Sequence, residues 1–224
     1  MTEPASRSYL SAADRPTLRA RTGARGVGGV WVVGCPSAGV LPGPPFPFSR
    51  GYLGVDLFFV LSGFVIAYVY WQEFEQAGAR SWPRVWLRFM ALRVARLWPA
   101  HIMMVLAFIA AVALAGPLAG RAFPTETVLR ELPLHLLLIH NWGPISDTRI
   151  NYPSWSVSAE FFVYALFPLY VLLFRRLRSV AALLAAIGLA MGVCWLAMTV
   201  LLGEPLGTSG RIGQIRAVCE FAVG

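Results

Sequence analysis

"GYLGVDLFFVLSGFVIAYVYW", Gly51 to Trp71, is apolar for almost its whole length, yet it carries a carboxylate, Asp56, near its start. About 20 apolar residues suffice for a helix to cross the hydrocarbon layer of a membrane, so this stretch reads as a span. A carboxylate at that depth costs about 2.5–3.5 kcal/mol or more, and such groups therefore face protein or a water-filled cavity. At helical spacing Asp56, Val60, Gly63, Ala67 and Tyr70 fall on one side, and Leu57, Leu61, Val65 and Val69 on the other. The first side is expected to face a helix bundle, where Gly63 and Ala67 let a neighbour approach closely. The second is expected to face lipid.

The rest of the chain has the same character. Of 224 residues, 57% are hydrophobic and only 13% are charged, and the mean hydropathy is +0.62. A soluble domain carries about 25% charged residues, so lipid must cover much of this surface. His101–Ala119, Trp155–Phe174 and Val180–Leu202 are long enough to be further spans. Val27–Leu41, broken by Gly34 and Pro36, is a marginal one, and Arg211–Gly224 opens another apolar run. Leu132–Trp142 is too short to cross and is expected to lie in the interface or dip in as a re-entrant segment. The fold class is all-α, a polytopic transmembrane helix bundle.

The formal charge is +8, and all 19 basic residues are Arg. They cluster between apolar runs rather than along one polar face, which is a topology signal and excludes a nucleic-acid partner. Arg84, Arg88, Arg93 and Arg96 mark a cytoplasmic loop, and Arg175, Arg176 and Arg178 mark another. Residues 120–154 mix Arg121, Arg130 and Arg149 with Glu126, Glu131 and Asp147, and suit the outside. Residues 1–21 read as a disordered cytoplasmic tail with no cleaved signal peptide, and 22–224 as the transmembrane domain. Cys35, Cys194 and Cys219 are too far apart for a zinc pattern and are expected to be packing residues.

Four groups carry candidate chemistry. Asp56 either pairs with an Arg or a backbone amide, or acts in catalysis. In "NYPSWSVSAEFFVYALFPLY", Asn151–Tyr170, Ser156, Glu160 and Tyr164 form a polar stripe, and Pro168 should kink the helix that carries them. Glu160 is either a general base or an anchor for an Arg. Arg93 and Arg96 of "FMALRVARLWPAHI" either hold phosphates or contact lipid headgroups. In "LPLHLLLIHNWGP" the five-residue spacing of His135 and His140 suits a shared metal poorly, and no metal site is expected. His140, beside Asn141 and Trp142, is a reserve base. Asp56 and Glu160 are expected to look onto one shared aqueous chamber.

"GYLGVDLFFVLSGFVIAYVY", "RVARLWPAHI", "LLLIHNWGP" and "PSWSVSAEFFVYALFPL" follow one another in the order seen in the acyltransferase-3 membrane family, which this chain resembles from about Gly23 onward. The resemblance implies a multi-helix membrane enzyme that moves an acyl group, often acetyl, from a coenzyme A thioester to a hydroxyl. Implied acceptors are carbohydrates of the cell envelope or glycosylated small molecules, and the implied location is a bacterial inner membrane with the N-terminus in the cytoplasm. Phe58, Phe59, Ser62 and Gly63 match one family motif, and Arg93 and Arg96 match another. Arg25 matches the family Arg of the first helix, and the resemblance implies that these arginines bind acyl-CoA. The family pattern has a His after the ten residues "GVGGVWVVGC" that follow Arg25, and here that place is Pro36. The family fold has more helices, and "RAVCEFAVG" stops within one, so a fragment with weak or no turnover is expected. A transporter or flippase subunit is the rival, because intramembrane carboxylates also mark transport paths. A non-catalytic remnant is a third reading.

Overall fold

The computed structural model describes residues 52–78, 80–118, 120, 122–142, 150–203 and 213–224, with residues 23, 26, 27 and 30 as isolated positions. The tail 1–21, Arg25, Cys35, Pro36 and most of the marginal span lie outside the described residues. The chain forms two compact units, residues 1–54 and 55–224. In the first, Gly23, Gly26, Val27 and Val30 are helical and exposed.

The described elements are α1 (Tyr52–Gln76), α2 (Trp82–Leu118), α3 (Thr125–Leu136), a 3-10 turn (Tyr152–Ser154), α4 (Trp155–Ala165), α5 (Phe167–Phe174), α6 (Val180–Trp195), a π-helical extension (Leu196–Leu201) and α7 (Gly213–Val223). Among the described residues there is no strand. Among the described residues three helices are long and apolar enough to cross a membrane: α1, α2 and Val180–Val200. α4 and α5 count as a fourth span if taken together across their 50° bend. The all-α membrane architecture is thus as the sequence reads.

One boundary differs. The arginine-rich segment read as a loop is the first half of α2, a continuous helix of 37 residues. Leu, Arg, Met and Ala favour the helix strongly. Pro99 lies inside it without ending it, although it removes one N–H from the ladder.

Pro168 acts as the sequence suggests. It stands at the start of α5, and the chain bends just before it. Leu169 N–H donates to the Leu166 carbonyl at 2.8 Å. Ala165's carbonyl instead accepts from Trp86 Nε1 of α2 at 3.2 Å, so the break is stitched to a neighbouring helix.

In lipid, apolar side chains gain nothing by leaving their solvent, so close packing and polar contacts between helices hold a bundle together. Phe74 of α1 meets Phe89 of α2 and Phe167 of α5 edge-on, with centroids at 5.7 and 5.3 Å. Gly63 lies so close to the Phe221 backbone of α7 that a Cβ would strike its carbonyl oxygen. Gly213 of α7 would similarly bring a Cβ to 2.7 Å from the Trp155 ring of α4. The expected lipid face of α1 needs correcting: Val65 is 7% exposed, whereas Phe64 and Tyr68 are 44% and 45% exposed. α1 is enclosed on more than one side, and its open strip runs through Phe64 and Tyr68. Cys194 and Cys219 are free thiols packed with Met198, in keeping with a packing role.

Candidate functional site

Glu160 is half-buried on α4. Its Oε1 accepts from Ser62 Oγ of α1 at 3.0 Å. Tyr164, one turn further along α4, donates its hydroxyl to the same oxygen. Both contacts fall on Oε1, which leaves Oε2 as the oxygen open to a further group. Ser156, the third member of the sequence stripe, takes no part and donates to the Pro153 carbonyl at 3.3 Å. Ser62 stands in its place. Ser62 is buried, and Gly63 beside it admits the α7 backbone.

Behind Tyr164 lies Arg93, only 8% exposed. Its guanidinium carbon sits 5.1 Å from the Tyr70 ring, 5.5 Å from Phe89 and 5.9 Å from Tyr164. Its Nη2 donates to the Tyr70 hydroxyl at 2.8 Å. Three aromatic faces thus offset the cost of burying this cation. Arg96, three residues on, is exposed. The two guanidiniums stand in different surroundings, one within the bundle and one at its surface.

Asp56 is ion-paired with Arg216 of α7, which matches the pairing alternative read from the sequence. Arg216 is 1% exposed, and its Nε also donates to Glu220 Oε1 at 3.5 Å. Glu220 Oε2 is buried with no hydrogen-bond partner among the described residues. Arg216 and Glu220 were not singled out by sequence, since Arg211–Gly224 read simply as an apolar run. An Arg and a Glu four residues apart inside such a run was the available signal.

The shared chamber expected for Asp56 and Glu160 is not what the described cavities show. One cavity of about 350 Å³ is lined by Ala67, Trp71, Tyr170 and Phe221 among others. Another, also about 350 Å³, is lined by Phe74, Trp82 and Arg175. Neither touches Asp56 or Glu160. The two carboxylates occupy separate polar clusters joined by α1, along which Asp56 and Ser62 are about 9 Å apart.

The histidines form a third cluster. His101 of α2, His135 of α3 and His140 are 5%, 0% and 2% exposed. Their rings lie nearly parallel, with His135 and His140 centroids 3.9 Å apart and His101 at 5.1 Å from His140. The five-residue spacing is no obstacle, because α3 ends at Leu136 and the chain reverses at Leu138, whose φ is 60°. Ser158 of α4 pins this reversal: its Oγ donates to the Leu138 carbonyl at 2.8 Å and accepts from Asn141 N–H at 3.1 Å. Trp142 Nε1 adds a bond to the Ser158 carbonyl at 3.1 Å. Burial pushes His135 down to about 3, helped by the neighbouring His140 and His101. Burial also pushes His140 down to about 4, against the pull of the Ser154 carbonyl. Both rings are neutral at pH 7.

Helices of membrane-spanning length thus enclose the motif side chains Ser62, Glu160, Tyr164 and Arg93. The chain belongs to the acyltransferase-3 family, whose acyltransferase domain matches residues 22–224. It is 32% identical over 147 residues to the acyltransferase MdmB of Streptomyces mycarofaciens, a match covering 65% of this chain and 35% of that protein. It is 27% identical over 178 residues to the "Putative peptidoglycan O-acetyltransferase YrhL" of Bacillus subtilis (strain 168), covering 73% of this chain and 26% of that protein. The chain thus spans only about a third and a quarter of these relatives. No solved structure matches it significantly.

Proposed function

We propose that this chain carries the catalytic core of a membrane O-acyltransferase that moves an acyl group, acetyl in the simplest case, from acyl-CoA to a carbohydrate hydroxyl. The observation that carries this reading is the single-sided grip on Glu160: Ser62 and Tyr164 both hold Oε1, and Oε2 is left to meet an acceptor hydroxyl. The acceptor oxygen attacks the thioester carbonyl carbon while its proton passes to Glu160. The carbon–sulfur bond then breaks, and the coenzyme leaves as a thiolate that takes the proton up. General-base assistance of this kind contributes roughly 10²–10⁴-fold in rate.

Arg96 is proposed to take the phosphates of the coenzyme at the cytoplasmic mouth, with Arg93 supplying positive charge behind Tyr164. That arrangement suits a donor made in the cytoplasm of a bacterium, with the inner membrane as location and the N-terminus inside. Asp56 is assigned as a positioning residue that holds α7 through Arg216. His140 belongs to the separate histidine cluster and takes no part in the proton transfer. The name of the Bacillus subtilis relative favours a cell-envelope carbohydrate as acceptor.

Thermal unfolding in detergent tests the donor. Coenzyme A is expected to raise the midpoint of the wild-type chain and to lose that effect in Arg96→Glu. A transporter of sugars would respond to its sugar and not to coenzyme A, and an unchanged midpoint with coenzyme A would count against the proposal. Pro36→His restores the family residue and is expected to raise turnover; an unchanged rate would contradict the expectation that the proline weakens turnover.

A further inference from the structure

His101, His135 and His140 come from three different segments, and their nearest ring nitrogens all lie within 4.8 Å of one another. Each ring is more than nine-tenths buried, yet the polar atoms are poorly served. His101 Nε2, both nitrogens of His135 and His140 Nδ1 have no hydrogen-bond partner among the described residues. A buried polar atom left unpaired costs about 1–3 kcal/mol, and four of them in one place is a large cost to leave uncompensated.

His140 shows what compensates it. Its Nε2 lies 3.0 Å from the Ser154 carbonyl and 3.1 Å from Ser154 Oγ. A carbonyl can only accept, so Nε2 carries the proton. Ser154 Oγ sends its own hydrogen to the Asn151 carbonyl at 2.7 Å, and so accepts from Nε2 as well. That fixes the tautomer and leaves Nδ1 unprotonated, with no hydrogen-bond partner among the described residues. An imidazole whose N–H is anchored to a backbone carbonyl while its other nitrogen is free is the usual arrangement of a metal ligand.

We infer that His101 Nε2, His140 Nδ1 and one ring nitrogen of His135 form a three-histidine site for a divalent transition ion of the zinc type. Neutral imidazoles suit zinc, copper, iron and nickel, and oxygen-seeking magnesium and calcium much less. Three histidines with a fourth position open form a familiar zinc arrangement, with Zn–N distances of about 2.0–2.1 Å. Nitrogens around a tetrahedral zinc are then about 3.3 Å apart, so the stacked rings need to close by up to about 1.5 Å and rotate so that their lone pairs converge. The ion ties the end of α3, which is too short to cross the membrane, to α2 and to the Leu138 reversal. The inference stands independently of the acyl-transfer reading.

The test uses the full chain purified in detergent without a histidine tag, stripped with chelator and reloaded with zinc or cobalt. The expected result is about one zinc per chain, visible ligand-field bands of low-symmetry cobalt, and a higher thermal midpoint with zinc than with chelator. His135→Gln and His140→Asn, each tested alone, are expected to lower metal content at least several-fold and to remove the zinc-dependent shift. Wild-type protein that takes up no metal above background would overturn the site. So would variants that keep the metal and the cobalt bands unchanged, or a midpoint indifferent to zinc. The wild-type measurement stands even if a variant fails to fold.

Discussion

The α1–α4–α7 contact and the α2–α3 histidine cluster are both buried and both polar, but they differ in how far their polar groups satisfy one another. In the first, Ser62, Tyr164 and Glu160 answer one another, and Arg216 binds Asp56 and Glu220. In the second, imidazoles stack face to face and leave four nitrogens without hydrogen-bond partners among the described residues. The difference teaches that burial alone does not identify a site. A cluster whose charges pair with one another holds helices together even with Glu220 Oε2 left over, whereas four unpaired nitrogens in one place call for something the described residues do not provide.

That contrast can be broken or sharpened by substitution. The largest effect is expected from Arg216→Met, which strands two carboxylates: breaking a buried ion pair from one side costs about 3–5 kcal/mol. Unfolding in a mild detergent series should register it as a steep loss of folded protein. Gly63→Ala comes next. Its Cβ would strike the Phe221 carbonyl, and overpacking of this kind costs about 1–3 kcal/mol, read by the same assay. Ser62→Ala removes one interhelical hydrogen bond and should cost about 0.6 kcal/mol, the average between membrane helices, and no more than about 1.7. The smallest effect belongs to the other region. His135→Phe in chelator-treated protein removes two unpaired nitrogens without vacating much volume, so stability should hold or rise slightly. If His135→Phe cost as much as Arg216→Met in metal-free protein, the two regions would not differ in the way described.

Much of the fold was legible in the sequence because lipid imposes a simple rule: a helix long and apolar enough to cross is visible as a run of apolar residues. Tyr52–Gln76 and the Pro168 break follow that rule directly. The rule failed for Arg84–Arg96, where charged residues interrupt the apolar pattern without interrupting the helix. Glu160 and Tyr164 were readable as partners because four residues bring side chains together on one helix face. The Ser62 partner of Glu160 and the Arg216 partner of Asp56 were not readable as partners. They lie 98 and 160 residues away, and local spacing holds no information about tertiary neighbours. The histidine cluster was hidden for a different reason. Spacing arguments assume a continuous helix, and the reversal at Leu138, a non-glycine residue with positive φ, breaks that assumption.

The most direct test of the account is the rate of acetyl transfer from radiolabelled acetyl-CoA to a carbohydrate acceptor, compared between wild type and Glu160→Gln in the same membranes. Gln keeps an oxygen for Ser62 and Tyr164 but cannot take a proton. The account predicts a fall of roughly 10²-fold or more, with stabilisation by coenzyme A retained. Equal rates in the two proteins would contradict it.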